Sequence, residues 1–136
     1  MKQQRLDGLA DGIFAIAMTL LAFDLRVPAI SNPLDFQALF VALSTITPLL
    51  LSLVLSFALL FTYWRAHHFL ASVYARNLTV GLADYNAMFF LFITLVPFSA
   101  RLLGRYSENI TAITVYGLNV ICIGVTLLFM RYYIEH

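Results

Sequence analysis

Charge is scarce in this sequence: 11% of its residues are Asp, Glu, Lys or Arg, against 62% that are hydrophobic. A chain of 136 residues has no interior large enough to hide that much apolar surface from water. The solvent it implies is a lipid bilayer. The formal net charge is only +1, with no clustered basic face of the kind that phosphate backbones require, which excludes nucleic acid as a partner. Cysteine is nearly absent too. Cys122 stands alone, so neither an intrachain disulfide nor a CxxC metal site can form. No nucleophile and base set, phosphate loop or metal-ligand set occurs, which argues against an enzyme and against any cofactor or structural metal. The sequons at Asn77 and Asn109 are short patterns frequent by chance. Lys2 and Arg5 open the chain, but Asp7 and Asp11 follow at once and no small-residue cleavage site closes the apolar run. A retained helix is expected there rather than a signal peptide.

What is present is four hydrophobic blocks. The first runs from about Arg5 to Val27 and is stopped by Pro28, with a turn at Ser31, Asn32 and Pro33. The second holds twenty-nine uncharged residues between Asp35 and Arg65, too many for one upright span, and Pro48 interrupts it. Because proline is tolerated in the first turn of a helix but not in its interior, the block divides into a short interfacial or re-entrant helix over 34–46 and a spanning helix over 48–74. The third block covers 78–102, with Asp84 and Asn86 near its start and Pro97 near its end. The fourth covers 109–131, with twenty-two uncharged residues between Glu108 and Arg131, enough to cross with modest tilt. The expected fold is an all-α polytopic membrane bundle, one transmembrane domain over 1–136 with about four spanning helices and one short interfacial helix. With the N-terminus cytoplasmic, that side collects Lys2, Arg5, Arg65, Arg76 and Arg131 against Arg26, Arg101 and Arg105 on the other, so both termini are expected inside. Trp64, Tyr106, Tyr132 and Tyr133 fall near helix ends, where aromatic belts form.

The first helix carries a puzzle. Only twelve uncharged residues separate Asp11 from Asp24, which cover about 18 Å of a hydrocarbon core about 30 Å thick. Carboxylates placed so deep must face protein or water, because an ionisable group at the bilayer centre costs about 2.5–3.5 kcal/mol even on the lenient scale. Gly12, Ile16, Thr19, Leu20 and Phe23 recur every three or four residues and form one stripe. Such a stripe is either a packing seam or the wall of a pore. In the second reading Ile16, Leu20 and Phe23 make stacked apolar rings that gate by dewetting, and Thr19 supplies a ring of hydroxyls. Spacing does not choose between the two. Asp7 and Asp11 lie one turn apart, with Arg5 able to fold back toward them. WRAHH sets Trp64, Arg65, His67 and His68 at the same depth on the next spanning helix. Asp11 accepting from Trp64, His67 or Arg5 is the arrangement that would lock the two helices together.

These residues carry a resemblance. RLDGLADG, from Arg5 to Gly12, resembles the R-x-x-x-F-S-D-G signature of the lysosomal potassium channel family and its prokaryotic homologues, with Leu9 in place of the Phe and Ala10 in place of the Ser. IFAIAMTLLAFDLRVP, WRAHH, Asn86 and PFSARLLGRY are similar to that family in the same order. The resemblance implies a potassium-permeable channel without a carbonyl-lined filter, in a prokaryotic cell membrane, with potassium as the permeant species. It implies a pore lined by the first helix, with the apolar constriction at Ile16, further layers at Leu20 and Phe23, and the layer threonine at Thr19. It also implies a signature network involving Arg5, Asp11, Gly12, Trp64, His67 and His68, and a homotetramer of six-helix subunits, of which this chain covers about the first four helices. Two other readings stand beside it: a small transporter or proton relay using Asp11, His67, His68 and Asp84, and a membrane scaffold without transport.

Overall fold

The computed structural model describes residues 3–74 and 80–136; Lys2, Arg76, Asn77 and Leu78 lie outside them. The helices in chain order are α1 (Gln3–Ala22), α2 (Phe36–Ser44), α3 (Thr47–Tyr74), α4 (Val80–Arg105) and α5 (Ile110–Glu135). Their ends follow from local chemistry. Asp35 caps α2, its carboxylate accepting from the Ala38 N–H at 3.0 Å, and Asn109 caps α5 by accepting from the Thr111 N–H at 2.9 Å. Pro48 is the second residue of α3, where its missing N–H leaves no helical bond unmade.

Among the described residues three helices, α3, α4 and α5, are long and apolar enough to cross a membrane. Each candidate span has 26 residues, about 39 Å of helix against about 30 Å of hydrocarbon. α1 is 20 residues long, about 30 Å, and has Arg5, Asp7 and Asp11 in its first half. It lies against α3 and α4, and α4 is the hub, touching α1, α3 and α5. Phe14, Leu60, Phe89, Ile93 and Ile123 fill the core these helices share. Lipid is as apolar as leucine, so burial alone does not hold the helices together and polar contacts across them count. Ser52 donates to the Ala100 carbonyl at 2.6 Å, and Tyr63 donates to the Val120 carbonyl at 3.0 Å. The Ser56 and Tyr116 hydroxyls meet at 2.9 Å, and the Asn119 amide donates to the Ser99 hydroxyl at 2.9 Å.

The boundaries that differ most from the sequence expectation are two, while α2 is shorter by two residues at each end and α4 runs three residues further, to Arg105. α1 stops at Ala22 rather than near Val27. The Phe23 and Leu25 N–H groups reach back only three residues, to the Leu20 and Ala22 carbonyls, and Pro28 disfavours helical backbone at Val27. Asp24, released from the helix, pairs with Arg101 of α4 at 3.2 Å. α5 in turn runs past Arg131 to Glu135, where these two residues, one turn apart, form an ion pair at 2.9 Å. α2 has no buried residue, and Phe36, Phe40 and Val41 all stand exposed on it.

Candidate functional site

α1 has two apolar faces. Leu6, Ala10, Phe14, Ala17 and Leu21, spaced by three and four, are buried against the other helices. Gly12, Ile16, Thr19 and Leu20 are all exposed, on a face roughly 140° around the helix at 100° per residue. Ile16 is 60% exposed, Leu20 46% and Phe23 84%. Phe23 sits one residue past the end of α1, in the turn rather than on the helix. The expected stripe is therefore a surface that nothing within the described residues covers. Ala10 is buried on the opposite face, where a methyl group packs without needing a hydrogen-bond partner.

Thr19 has its hydroxyl proton directed inward, to the Ile16 carbonyl at 2.9 Å. That leaves its oxygen lone pairs outward, as an acceptor on the exposed face. Thr62, Thr94 and Thr114 bond their own helices in the same way, so the geometry is ordinary and only the location is special.

The polar residues divide into two pairs. Trp64 donates its indole N–H to Asp11 at 2.8 Å, tying α3 to the first half of α1. His68 stacks on the Trp64 ring, with centroids 5.7 Å apart. His67 turns away from Asp11 to α4, where its Nε2 meets the Asn86 side-chain oxygen at 2.7 Å. Because the Asn86 amide nitrogen already donates to the Leu82 carbonyl at 2.8 Å, the oxygen must accept and His67 must carry its proton on Nε2. Phe89 stacks on the imidazole at 5.1 Å, and Phe14 and Phe90 close over it. Arg5 is exposed and makes no ion pair with Asp7 or Asp11. The fold-back of Arg5 is thus not formed, and holding an exposed long side chain in one ion-pair geometry would cost side-chain entropy for little gain. No hydrogen bond among the described residues links Asp11, His67, His68 and Asp84 into a chain. No group of three metal-ligating side chains occurs among them either.

The sequence reading missed the Asp24–Arg101 pair and the partnership of His67 with Asn86. Both join residues on different helices, and no spacing rule relates such positions. Asn86 carried a signal nonetheless: an amide in an apolar run needs a buried partner.

A bundle with three apolar spans among the described residues, and a shorter charged helix beside them, defines an integral polytopic membrane protein. The family model described as endosomal/lysosomal potassium channel TMEM175 matches residues 5–97, and the chain belongs to that family, which is one of ion channels and not of enzymes. It is 32% identical over 102 residues to a potassium channel of Chamaesiphon minutus, covering 75% of this chain and 49% of the relative. Human endosomal/lysosomal proton channel TMEM175 is 29% identical over 114 residues, covering 80% of this chain and 22% of that protein. The crystal structure of a lysosomal potassium-selective channel TMEM175 homologue from Chamaesiphon minutus superposes with a TM-score of 0.84 at 26% identity, over 98% of this chain and 75% of that one. The chain thus spans about half the length of the curated prokaryotic relative it matches.

Proposed function

We propose that this chain forms a potassium-permeable cation channel as a homotetramer, with α1 of each subunit lining the pore. The observation that carries the reading is the uncovered stripe of Ile16, Thr19 and Leu20 on α1. A single chain leaves this face bare, whereas a symmetric oligomer turns each position into a ring. Ile16 and Leu20 then make apolar layers that exclude water when narrow, with Phe23 as the outermost layer. Thr19 offers outward lone pairs in place of lost water. Asp11 belongs to the scaffold, bonded to Trp64, and so holds α1 in register rather than contacting the ion. The N-terminus is on the cytoplasmic side of a prokaryotic membrane, as the distribution of basic residues favours.

A second reading, proton conduction, draws support from the name of the mammalian relatives. Reconstituted flux separates the two. Vesicles holding the protein are loaded with potassium, and flux is followed alongside a pH dye. A potential-driven potassium flux that persists with the proton gradient clamped supports the first reading, and proton flux without potassium flux supports the second. Ile16→Asn should raise the potassium leak about tenfold or more, since an amide wets the ring that isoleucine keeps dry. Thr19→Ala should leave the gate intact and lower the preference for potassium over sodium. Unchanged leak in Ile16→Asn vesicles of normal oligomeric state would move the gate to another layer.

A further inference from the structure

At the end of the bundle remote from the N-terminus, the α1–α2 connection, the start of α3 and the end of α4 enclose an open groove of about 390 Å³. Its lining includes Arg26, Arg101 and Arg105, with Asp24 as the one carboxylate. We propose that this groove binds a phosphate-bearing anion, in the membrane the headgroup of an anionic phospholipid.

Three guanidinium groups face one carboxylate there. Asp24 pairs with Arg101, while Arg26 and Arg105 form no ion pair among the described residues. Two cationic forks therefore remain to be answered, and phosphate oxygens suit a guanidinium fork better than any other biological anion except a carboxylate. Arg101 and Arg105 are four apart on α4, so they project from the same face one turn apart. Gly104 lies between them against α3, where an added Cβ would come within 2.7 Å of the Leu49 side chain and 3.0 Å of its backbone. The missing side chain brings the two helices into contact beneath the arginines and closes the floor of the groove.

Depth selects the ligand. The 26 residues of α4 reach about 39 Å, beyond the hydrocarbon core of about 30 Å, so its last turn stands among the headgroups. Thr45 and Ile46, on the groove wall, lead directly out of α2, whose Phe36, Phe40 and Val41 are exposed. A cationic groove beside an uncovered apolar helix matches an amphipathic ligand, one with an anionic head for the guanidinium forks and an acyl tail for the helix. A free phosphate has the same head without the tail.

The test uses the full chain, purified in detergent and delipidated. Its binding of phosphatidylglycerol, phosphatidylcholine and inorganic phosphate is read by native mass spectrometry, with thermal unfolding recorded for every variant. Phosphatidylglycerol should bind at least about fivefold more tightly than phosphatidylcholine, the factor that one basic residue near an anionic surface supplies. The double variant Arg26→Ala, Arg105→Ala should erase that preference while keeping the Asp24–Arg101 pair. Arg65→Ala, an equal loss of charge on an exposed residue in the WRAHH segment, should leave it unchanged. Should the double variant unfold, Asp24→Asn tests the same idea in the other direction: it frees Arg101 and should tighten phosphatidylglycerol binding about fivefold. Inorganic phosphate that binds alone and displaces the lipid identifies a free-anion pocket, and inorganic phosphate without effect identifies a lipid site; either outcome upholds recognition of the phosphate. Equal binding of the two lipids by the unaltered chain, or an effect of Arg65→Ala as large as that of the double variant, overturns the proposal.

Discussion

His67 and Asn86 lie nineteen positions apart in the chain and 2.7 Å apart in the fold, and their bond shows what a buried polar pair does in a membrane bundle. Each has few other options. The imidazole is enclosed by Phe14, Phe89 and Phe90, and the amide is nearly fully buried. Removing one partner therefore leaves the other unsatisfied, which costs more than the bond is worth. Asn86→Leu should destabilise the protein by about 1–3 kcal/mol, and His67→Phe by a similar amount. The double variant should be less damaging than their sum, with a coupling of about 0.6–1.7 kcal/mol, the range found for interhelical hydrogen bonds in membranes. Thermal or denaturant unfolding in detergent measures all three. Strict additivity would mean that the two side chains act independently. At this scale the sequence disclosed which residues were anomalous, because a His or Asn in an apolar run is visible at once. It did not disclose their partners. WRAHH offered both Trp64 and His67 as candidates for Asp11, beside Arg5, and only the packing of α3 against α1 and α4 sends His67 to Asn86 and leaves the indole for Asp11.

Helices were legible where a boundary has a chemical cause within a few residues. Pro48 at the start of α3 and the caps at Asp35 and Asn109 are of that kind. The end of α1 was legible only in part: Pro28 marks a stop, but the ion pair that Asp24 makes just past Ala22 involves a residue far along the chain. Asp24 leaves the helix toward Arg101, a partner invisible to any local pattern. The path of α4 past Pro97 has a similar origin: neighbouring helices enclose it, so the ring is accommodated without ending the helix. Close approach of two helices is a further element-scale property that composition hides. Gly104 touches α3 so tightly that a methyl group would meet both the side chain and the backbone of Leu49. Gly104→Ala should thus push α3 and α4 apart and cost about 1–3 kcal/mol, the usual penalty of overpacking, although alanine is the better helix former. Gly117, where an added Cβ would meet nothing within 4 Å, is the control, since Gly117→Ala should be neutral or slightly stabilising. Unfolding midpoints that rank the two variants the other way would show that α3 and α4 approach less closely at Gly104.

For the molecule as a whole, the class of fold could be read from composition and periodicity, whereas the purpose of the α1 stripe could not. Periodicity marks a face but does not distinguish lipid, another helix or a lumen as its cover, since all three accept Ile, Leu and Phe. The fold narrows the choice. The opposite face of α1 already holds the core through Phe14 and its neighbours, so the stripe is not the seam that binds α1 within its own subunit. If four copies of α1 surround an axis, the stripe positions approach their counterparts, while positions on α5 such as Val125 and Leu128, exposed on a helix outside that ring, should not. Single cysteines make this measurable once Cys122, the native thiol, is replaced by serine. Under oxidation in membranes, Ile16→Cys and Leu20→Cys should form disulfide-linked dimers readily, with Val125→Cys and Leu128→Cys giving few. An amine-reactive crosslinker of longer reach, able to use both Lys2 and an α-amino group on each subunit, should extend the ladder to four subunits and no further. Crosslinking that is strong on α5 and absent on α1 would place the subunit contact on α5 and leave the stripe to lipid, and the pore would then have to be sought elsewhere in the assembly.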